Sequence, residues 1–220
     1  MSEKFSVIFD MDGTLLDTQR ICVPAWEYAG RLQGIVGMGN HVSNVCGMNE
    51  AGWMRYLHKN FPTLDVDTFN IAKKDYINKN SIVKFKAGAK ELLDFLKANN
   101  IKIGLASGTS RKSIDHHLAE VNITGFFDAI SGSYDVQNGK PAPDVFLLTA
   151  NRMGVSSEDC FVFEDSPNGI LAARAAGMKC IGVPDVVDFS DDVKKLLFAE
   201  LQRIDEAIPM FKKYLTEINL

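Results

Sequence analysis

Phe5-Ser-Val-Ile-Phe-Asp10-Met-Asp12-Gly-Thr14-Leu-Leu-Asp17-Thr18 is an apolar, β-rich run that stops abruptly at two aspartates and a glycine. Two carboxylates one residue apart repel each other unless a positive group sits between them, and a divalent cation with oxygen ligands, such as Mg²⁺, meets that need. Asp-Gly between two apolar runs is equally a hairpin signal, in which Asp12 would only close a turn. Taken alone, the stretch leaves both readings open.

The pattern of the opening run recurs. Short apolar segments ending at Gly, Ser or Asp lie at 101–107, 127–131, 160–165 and 179–183, apolar on both faces. Helical patterns alternate with them at 88–99, 111–121, 144–153 and 167–176, with Gly154 and Gly177 suited to C-terminal caps and Pro143 and Pro167 to first turns. Alternation of this kind predicts an α/β fold, a doubly wound parallel sheet covered on both sides. Residues 18–85 break it, with helical patterns at 23–31, 50–60 and 68–80 and no comparable strand. They read as an inserted helical cap domain (18–85) in a core made of 1–17 and 86–220. An insertion directly after Asp10 sits over the sheet edge where open α/β folds bind ligands, and could act as a lid. Residues 190–220 read as a charged helical tail, with Phe211 and Tyr214 toward the body.

Composition narrows the function classes. At 220 residues and 46% hydrophobic content, the chain can bury roughly 70% of its unfolded surface without disulfides. Cys22, Cys46, Cys160 and Cys180 have no C-x-x-C spacing and read as reduced packing thiols. A net charge of −4 gives no general attraction for a nucleic acid polymer or an anionic membrane. No basic-then-apolar leader precedes Phe5, and no apolar run approaches the ~20 residues that span a bilayer. A cytoplasmic protein is expected, and any anionic substrate must be held by local donors.

Four strand ends carry polar groups that make sense together. The first delivers Asp10 and Asp12, and the second Ser107, Gly108 and Thr109. The loop after the third carries Lys140 in Gly139-Lys-Pro-Ala-Pro143, and the fourth delivers Glu164, Asp165 and Ser166. In a parallel sheet these ends share one edge, and four carboxylates converging there need a divalent cation and a fixed positive side chain, for which Lys140 is the candidate. Each residue has a plainer reading by itself: Ser107 as a strand end, Lys140 as a surface lysine, Asp165 as a helix N-cap. Adjacent His116 and His117 lack metal-pair spacing, Gly37-Met-Gly39 follows no strand, and 104–112 misses the P-loop pattern.

In order, spacing and type, Asp10-Met-Asp12-Gly-Thr14, Ser107, Lys140 before Pro141, and Glu164-Asp165 resemble the four motifs of the haloacid dehalogenase (HAD) superfamily. The likeness spans nearly the whole chain, and the insertion is similar to the α-helical cap of the subfamily that includes β-phosphoglucomutase and small-metabolite phosphatases. The resemblance implies a Rossmann-like core and a Mg²⁺-dependent enzyme. Asp10 would be the nucleophile that forms an aspartyl-phosphate and Asp12 the acid and base. Ser107, Gly108 and Lys140 would bind phosphate, and Thr14 and Thr18 would support the loop. Metal would be held by Asp10, Asp12 (through its backbone carbonyl), Glu164 and Asp165.

The sugar-phosphomutase branch carries a histidine where Cys22 aligns here. It also has a basic residue before Gly and an arginine three residues after it, where this chain has Cys46-Gly47-Met48-Asn49-Glu50. Losing that clamp for a second phosphate favours hydrolysis of a small phosphorylated metabolite, a sugar phosphate or nucleotide-like monoester. A β-phosphoglucomutase-type mutase is the alternative, and a non-catalytic phospho-switch or binding protein the alternative of another class. Trp26, Asn49 and Arg55, with Arg20, His41 and Asn44, are the candidate cap contacts. A monomer is expected, with a dimer as the alternative.

Overall fold

The computed structural model describes residues 5–218; positions 1–4 and 219–220 of the expected core lie outside them. Strand β1 (Ser6–Phe9) leads into the helical insertion: α1 (Cys22–Arg31), a 3₁₀ turn at Met38–His41, α2 (Val42–Val45), α3 (Glu50–Asn60) and α4 (Val66–Asn80). Alternation follows through α5 (Ala89–Ala98), β2 (Ile103–Ala106), α6 (Arg111–Glu120), β3 (Ala129–Ser131), α7 (Asp144–Met153) and β4 (Cys160–Glu164). The chain then continues through α8 (Pro167–Ala175), β5 (Lys179–Gly182), α9 (Asp191–Lys194), β6 (Ala199–Glu200) and α10 (Ala207–Ile218).

Six strands form one parallel sheet in the order β3-β2-β1-β4-β5-β6. The strand order reverses at β1, so a crevice opens beyond the C-terminal ends of β1 and β4. Phe9 pairs in register with Phe163, which brings Asp10 beside Glu164. The strands are apolar on both faces because both are covered. Val7, Phe9, Phe161 and Phe163 pack under α5, α6 and α10, while Ile8 and Val162 pack under Phe146 of α7 and Ile170 of α8. Such burial is the main stabilising term for the sheet.

The segment expected as a purely helical tail contains β6. Phe198 N–H donates to Cys180 O at 2.7 Å and Leu201 N–H to Gly182 O at 2.9 Å, which adds an edge strand to β5. A strand of two residues, one half-exposed, carries no apolar run that a periodicity reading could detect. Phe211 is fully buried against the sheet, stacked on Phe5 at 4.6 Å, and Tyr214 meets the same ring edge-on. All four cysteines are free, and among the described residues no helix is long and apolar enough to cross a membrane.

The insertion has a core of its own, built from Trp26 of α1, Trp53 and Leu57 of α3 and Phe69 of α4. Its two connections run side by side, since Asp17 N–H donates to Lys84 O at 2.8 Å and Lys86 N–H to Leu15 O at 3.0 Å. Asp65 caps α4 by accepting from the N–H groups of Asp67 and Thr68, both at 3.1 Å.

Candidate active site

The end of β1 delivers Asp10, the end of β4 delivers Glu164 and Asp165, and the loop after β3 returns Lys140 between them. Lys140 Nζ donates to Asp10 Oδ1 at 2.5 Å, to Glu164 Oε1 at 2.6 Å and to the Ala106 carbonyl at 3.3 Å. Oxygens of Asp10, Glu164 and Asp165 lie within 4.8 Å of one another, all three residues buried. Glu164 Oε2 accepts from the N–H and hydroxyl of Ser166, each at 2.9 Å, and Asp165 Oδ1 from Thr14 at 3.0 Å. Among the described residues, no hydrogen bond reaches Asp10 Oδ2.

Three buried carboxylates around one ammonium leave a deficit of positive charge. Burial, with the neighbouring Glu164 and Asp12 charges, pushes the Asp10 carboxyl up to about 8 against the pull of Lys140. Burial, Glu164 and Asp10 likewise lift Asp165 well above the carboxylate range. Burial opposes the charge of Lys140, but Asp10 and Glu164 overcome it and hold the ammonium on. A group of hard oxygen donors short of positive charge fits a divalent cation. The packing fits as well: a Cβ on Gly169 would overlap the Glu164 carboxylate, so α8 approaches this close only with glycine there.

The Asp12 side chain stands apart from this group. Its Oδ1 accepts from Thr18 at 2.6 Å, and its Oδ2 from Thr109 at 2.7 Å and Ser107 at 3.2 Å. The backbone carbonyl of Asp12 accepts from Gln19 Nε2 at 2.6 Å. Thr109, delivered with Ser107 by the end of β2, was given no role of its own by the sequence, and Gln19 was not singled out at all, because it stands at no strand end and acts by folding back on Asp12. Asp165 is not the N-cap of α8: Ser166 takes that place, accepting from Gly169 N–H at 3.1 Å, because Pro167 starts the helix one residue later. Asp165 is thereby free to face the crevice.

A family model described as haloacid dehalogenase-like hydrolase matches residues 7–183. The chain belongs to this family. The hydrolase is 30% identical over 217 residues to the phosphorylated carbohydrates phosphatase of Thermotoga maritima, covering 96% of this chain and 99% of the relative. It is 34% identical over 188 residues to the fructose-1-phosphate phosphatase YqaB of Escherichia coli, covering 83% and 98%. The solved β-phosphoglucomutase of Clostridium difficile matches it with a TM-score of 0.76 at 25% identity, over 97% of this chain and 100% of that one.

In the hydrolase a cavity of about 660 Å³ opens over Asp10 and Asp12, with Gly108 and Thr109 on its core side, Thr18 at the junction, and Cys22, Trp26, Trp53 and Lys73 on its cap side. The cap loop is seated on the core. Asn168 Nδ2 donates to Cys46 O at 2.9 Å, and a Cβ on Gly47 would overlap the Ser166 hydroxyl. Of the expected cap contacts, Trp26 lines this cavity, its ring edge-on to Trp53 and Phe69. Asn49 and Arg55 instead line a separate cleft of about 410 Å³ beside Lys140. There Asn49 caps α3 by accepting from Gly52 N–H at 2.9 Å. Arg20 pairs with Asp17 and Asp185 at 3.4 Å, while His41 and Asn44 bind the Tyr56 hydroxyl at 2.8 and 2.9 Å. These contacts follow from how the cap helices cross, which residue type does not encode.

Proposed function

We propose that this hydrolase is a Mg²⁺-dependent phosphatase of small phosphomonoesters that works through an aspartyl-phosphate on Asp10. The observation that carries the reading is the buried group of Asp10, Glu164, Asp165 and Lys140 at the sheet edge, with Asp12 held separately on the same cavity. Asp10 Oδ1 is held by Lys140, which leaves Oδ2 to form the bond to phosphorus as the bond to the leaving oxygen breaks. Asp12 gives that oxygen its proton, then takes one from the water that displaces Asp10. Thr18 and Thr109 hold its carboxyl for both transfers. Lys140, the Ser107 hydroxyl and the Gly108 backbone bind the phosphoryl oxygens as charge spreads onto them. Asp10, Glu164, Asp165 and the Asp12 carbonyl would hold Mg²⁺; Gln19 now occupies that carbonyl and would have to share it. The cation, when bound, shields the anionic nucleophile from the anionic phosphate.

Within this reading, 18–85 is the cap and 1–17 with 86–220 the catalytic core. Two features favour hydrolysis over the mutase alternative. Cys22, at the mutase histidine position, lines the cavity as a neutral thiol, since burial pushes it up to about 11. Glu50 turns away to Asn70 at 2.7 Å and Lys74 at 2.9 Å. The likeness to sugar phosphate phosphatases supports a small phosphorylated metabolite as substrate. The four free thiols suit a reducing compartment such as the cytoplasm, and a monomer is the oligomeric state we propose.

Phosphate release from a panel of phosphorylated sugars, polyols and nucleotides, with and without Mg²⁺, tests the proposal. D10N should abolish release while leaving the protein folded, with the parent's circular dichroism spectrum. Undiminished turnover by D10N, or bisphosphate-dependent conversion of β-glucose 1-phosphate to glucose 6-phosphate without net release, would overturn it.

A further inference from the structure

Along α4 the buried positions are Val66, Phe69 and Lys73, so a lysine occupies the third place of an apolar stripe. Lys73 is only 9% exposed. Its ammonium lies 3.7 Å from the centre of the Trp53 ring. Among the described residues it makes no hydrogen bond and no ion pair. The ring face satisfies one side of the ammonium, and its other N–H donors are left to the cavity above Asp10 and Asp12. The opposite, core-side wall repeats the theme. Lys112 of α6, an exposed lysine, lines it and has no carboxylate partner among the described residues, and His117 Nδ1 is buried with no hydrogen bond. Asp10 and Asp12, on the floor, are the acids that line this cavity.

We propose that Lys73 is the specificity-determining residue of the cap, binding an anionic oxygen group on the leaving-group side of the substrate. The preferred substrates are then phosphomonoesters that carry a second anion, a carboxylate or another phosphate, held by this single ammonium of α4 and not by the pair of basic residues that the mutase branch carries around Gly47. This rests on the phosphatase reading and names the substrate class for it. Desolvation of a charge is costly unless it is paired, and a substrate anion supplies the pairing that the protein leaves out.

The groups facing Lys73 leave it in that role. Cys22 of α1 is a neutral thiol, Glu50 of α3 is engaged by Lys74 and Asn70, and Lys74 is a like charge already paired. Lys112, His116 and His117 across the cavity add no negative charge. Burial pulls Lys73 down to about 8, with the Glu50 charge opposing and Lys74 assisting. The positive charge is thus present at neutral pH and lost as pH rises through about 8.

The test compares substrates matched except for the second anion: D-3-phosphoglycerate against glycerol 3-phosphate, and fructose 1,6-bisphosphate against fructose 1-phosphate. The parent should favour the anionic member of at least one pair, and which pair it is distinguishes carboxylate from phosphate. K73M should lower that kcat/KM ratio about tenfold or more, chiefly through KM, with K73R retaining most of it. The ratio should fall above pH 8 in the parent and stay flat in K73M. No preference in either pair, or a ratio unchanged in K73M, overturns the proposal. The same four compounds are titrated calorimetrically against D10N and the D10N/K73M double variant. If the parent releases phosphate from none of a wider panel, the phosphatase reading fails, while loss of anion binding in D10N/K73M still supports Lys73 and equal binding still overturns it.

Discussion

Replacing Lys73 with methionine should make the protein more stable at pH 7, although Lys73 is buried and in contact with Trp53. Its pKa falls from the ordinary 10.5 to about 8, chiefly through burial. At ~1.4 kcal/mol per unit, this shift is roughly 3 kcal/mol of destabilisation carried by the charged form. Against it stands the cation–π contact with Trp53, about 1–2 kcal/mol, part of which a methionine thioether on the same ring replaces. Desolvation wins, and the net gain in K73M is about 2 kcal/mol at pH 7. The sign of the pH dependence follows from linkage. Between about 8 and 10.5 the unfolded chain holds a proton on Lys73 that the folded chain has released, so parent stability rises with pH across that window. The advantage of K73M should therefore shrink between pH 8 and 10. Urea denaturation of both proteins at pH 7, 8.5 and 10 measures this. A K73M protein less stable than the parent at pH 7, or an advantage that does not change with pH, would refute the claim that the charge is held there at a cost.

K140M removes the ammonium shared by Asp10 and Glu164 and leaves three buried carboxylates unbalanced. Denaturation in EDTA should show a loss of about 3–5 kcal/mol, reduced by millimolar Mg²⁺, and a smaller loss unaffected by Mg²⁺ would count against a cation in this group. G169A should gain up to about 1 kcal/mol of helix propensity and lose more, because the new Cβ overlaps the Glu164 carboxylate. A melting temperature at or above the parent's would show that α8 can shift away from Glu164.

The strand ends were legible in the sequence because the information is local. In a parallel sheet, chain direction alone sends the residues after each strand to one edge, so Asp10, Ser107 and Glu164 could be brought together without knowing any distance. Lys140, in a loop, was found by the charge that the edge required. Two features nearby were less readable. Asp165-Ser166-Pro167 offers two possible caps, and the helix start decides for Ser166. The two-residue β6 has too few residues for a periodicity to exist.

The insertion was legible only as helices. Asn49 and Arg55 were chosen as polar cap residues near the site, yet they line the neighbouring cleft. Lys73 passed unnoticed because its own sequence context reads as one more charge on a helix. What Lys73 faces depends on how α3 and α4 cross and on how the cap loop at Gly47 seats against Ser166. The sequence by itself thus determined the sheet, its active edge and the residue types along it, since strand direction and alternation are written in short runs of residues. Only the tertiary structure decided what the cap presents to that edge, because side chains far apart in the chain meet there through helix packing, which no local pattern encodes.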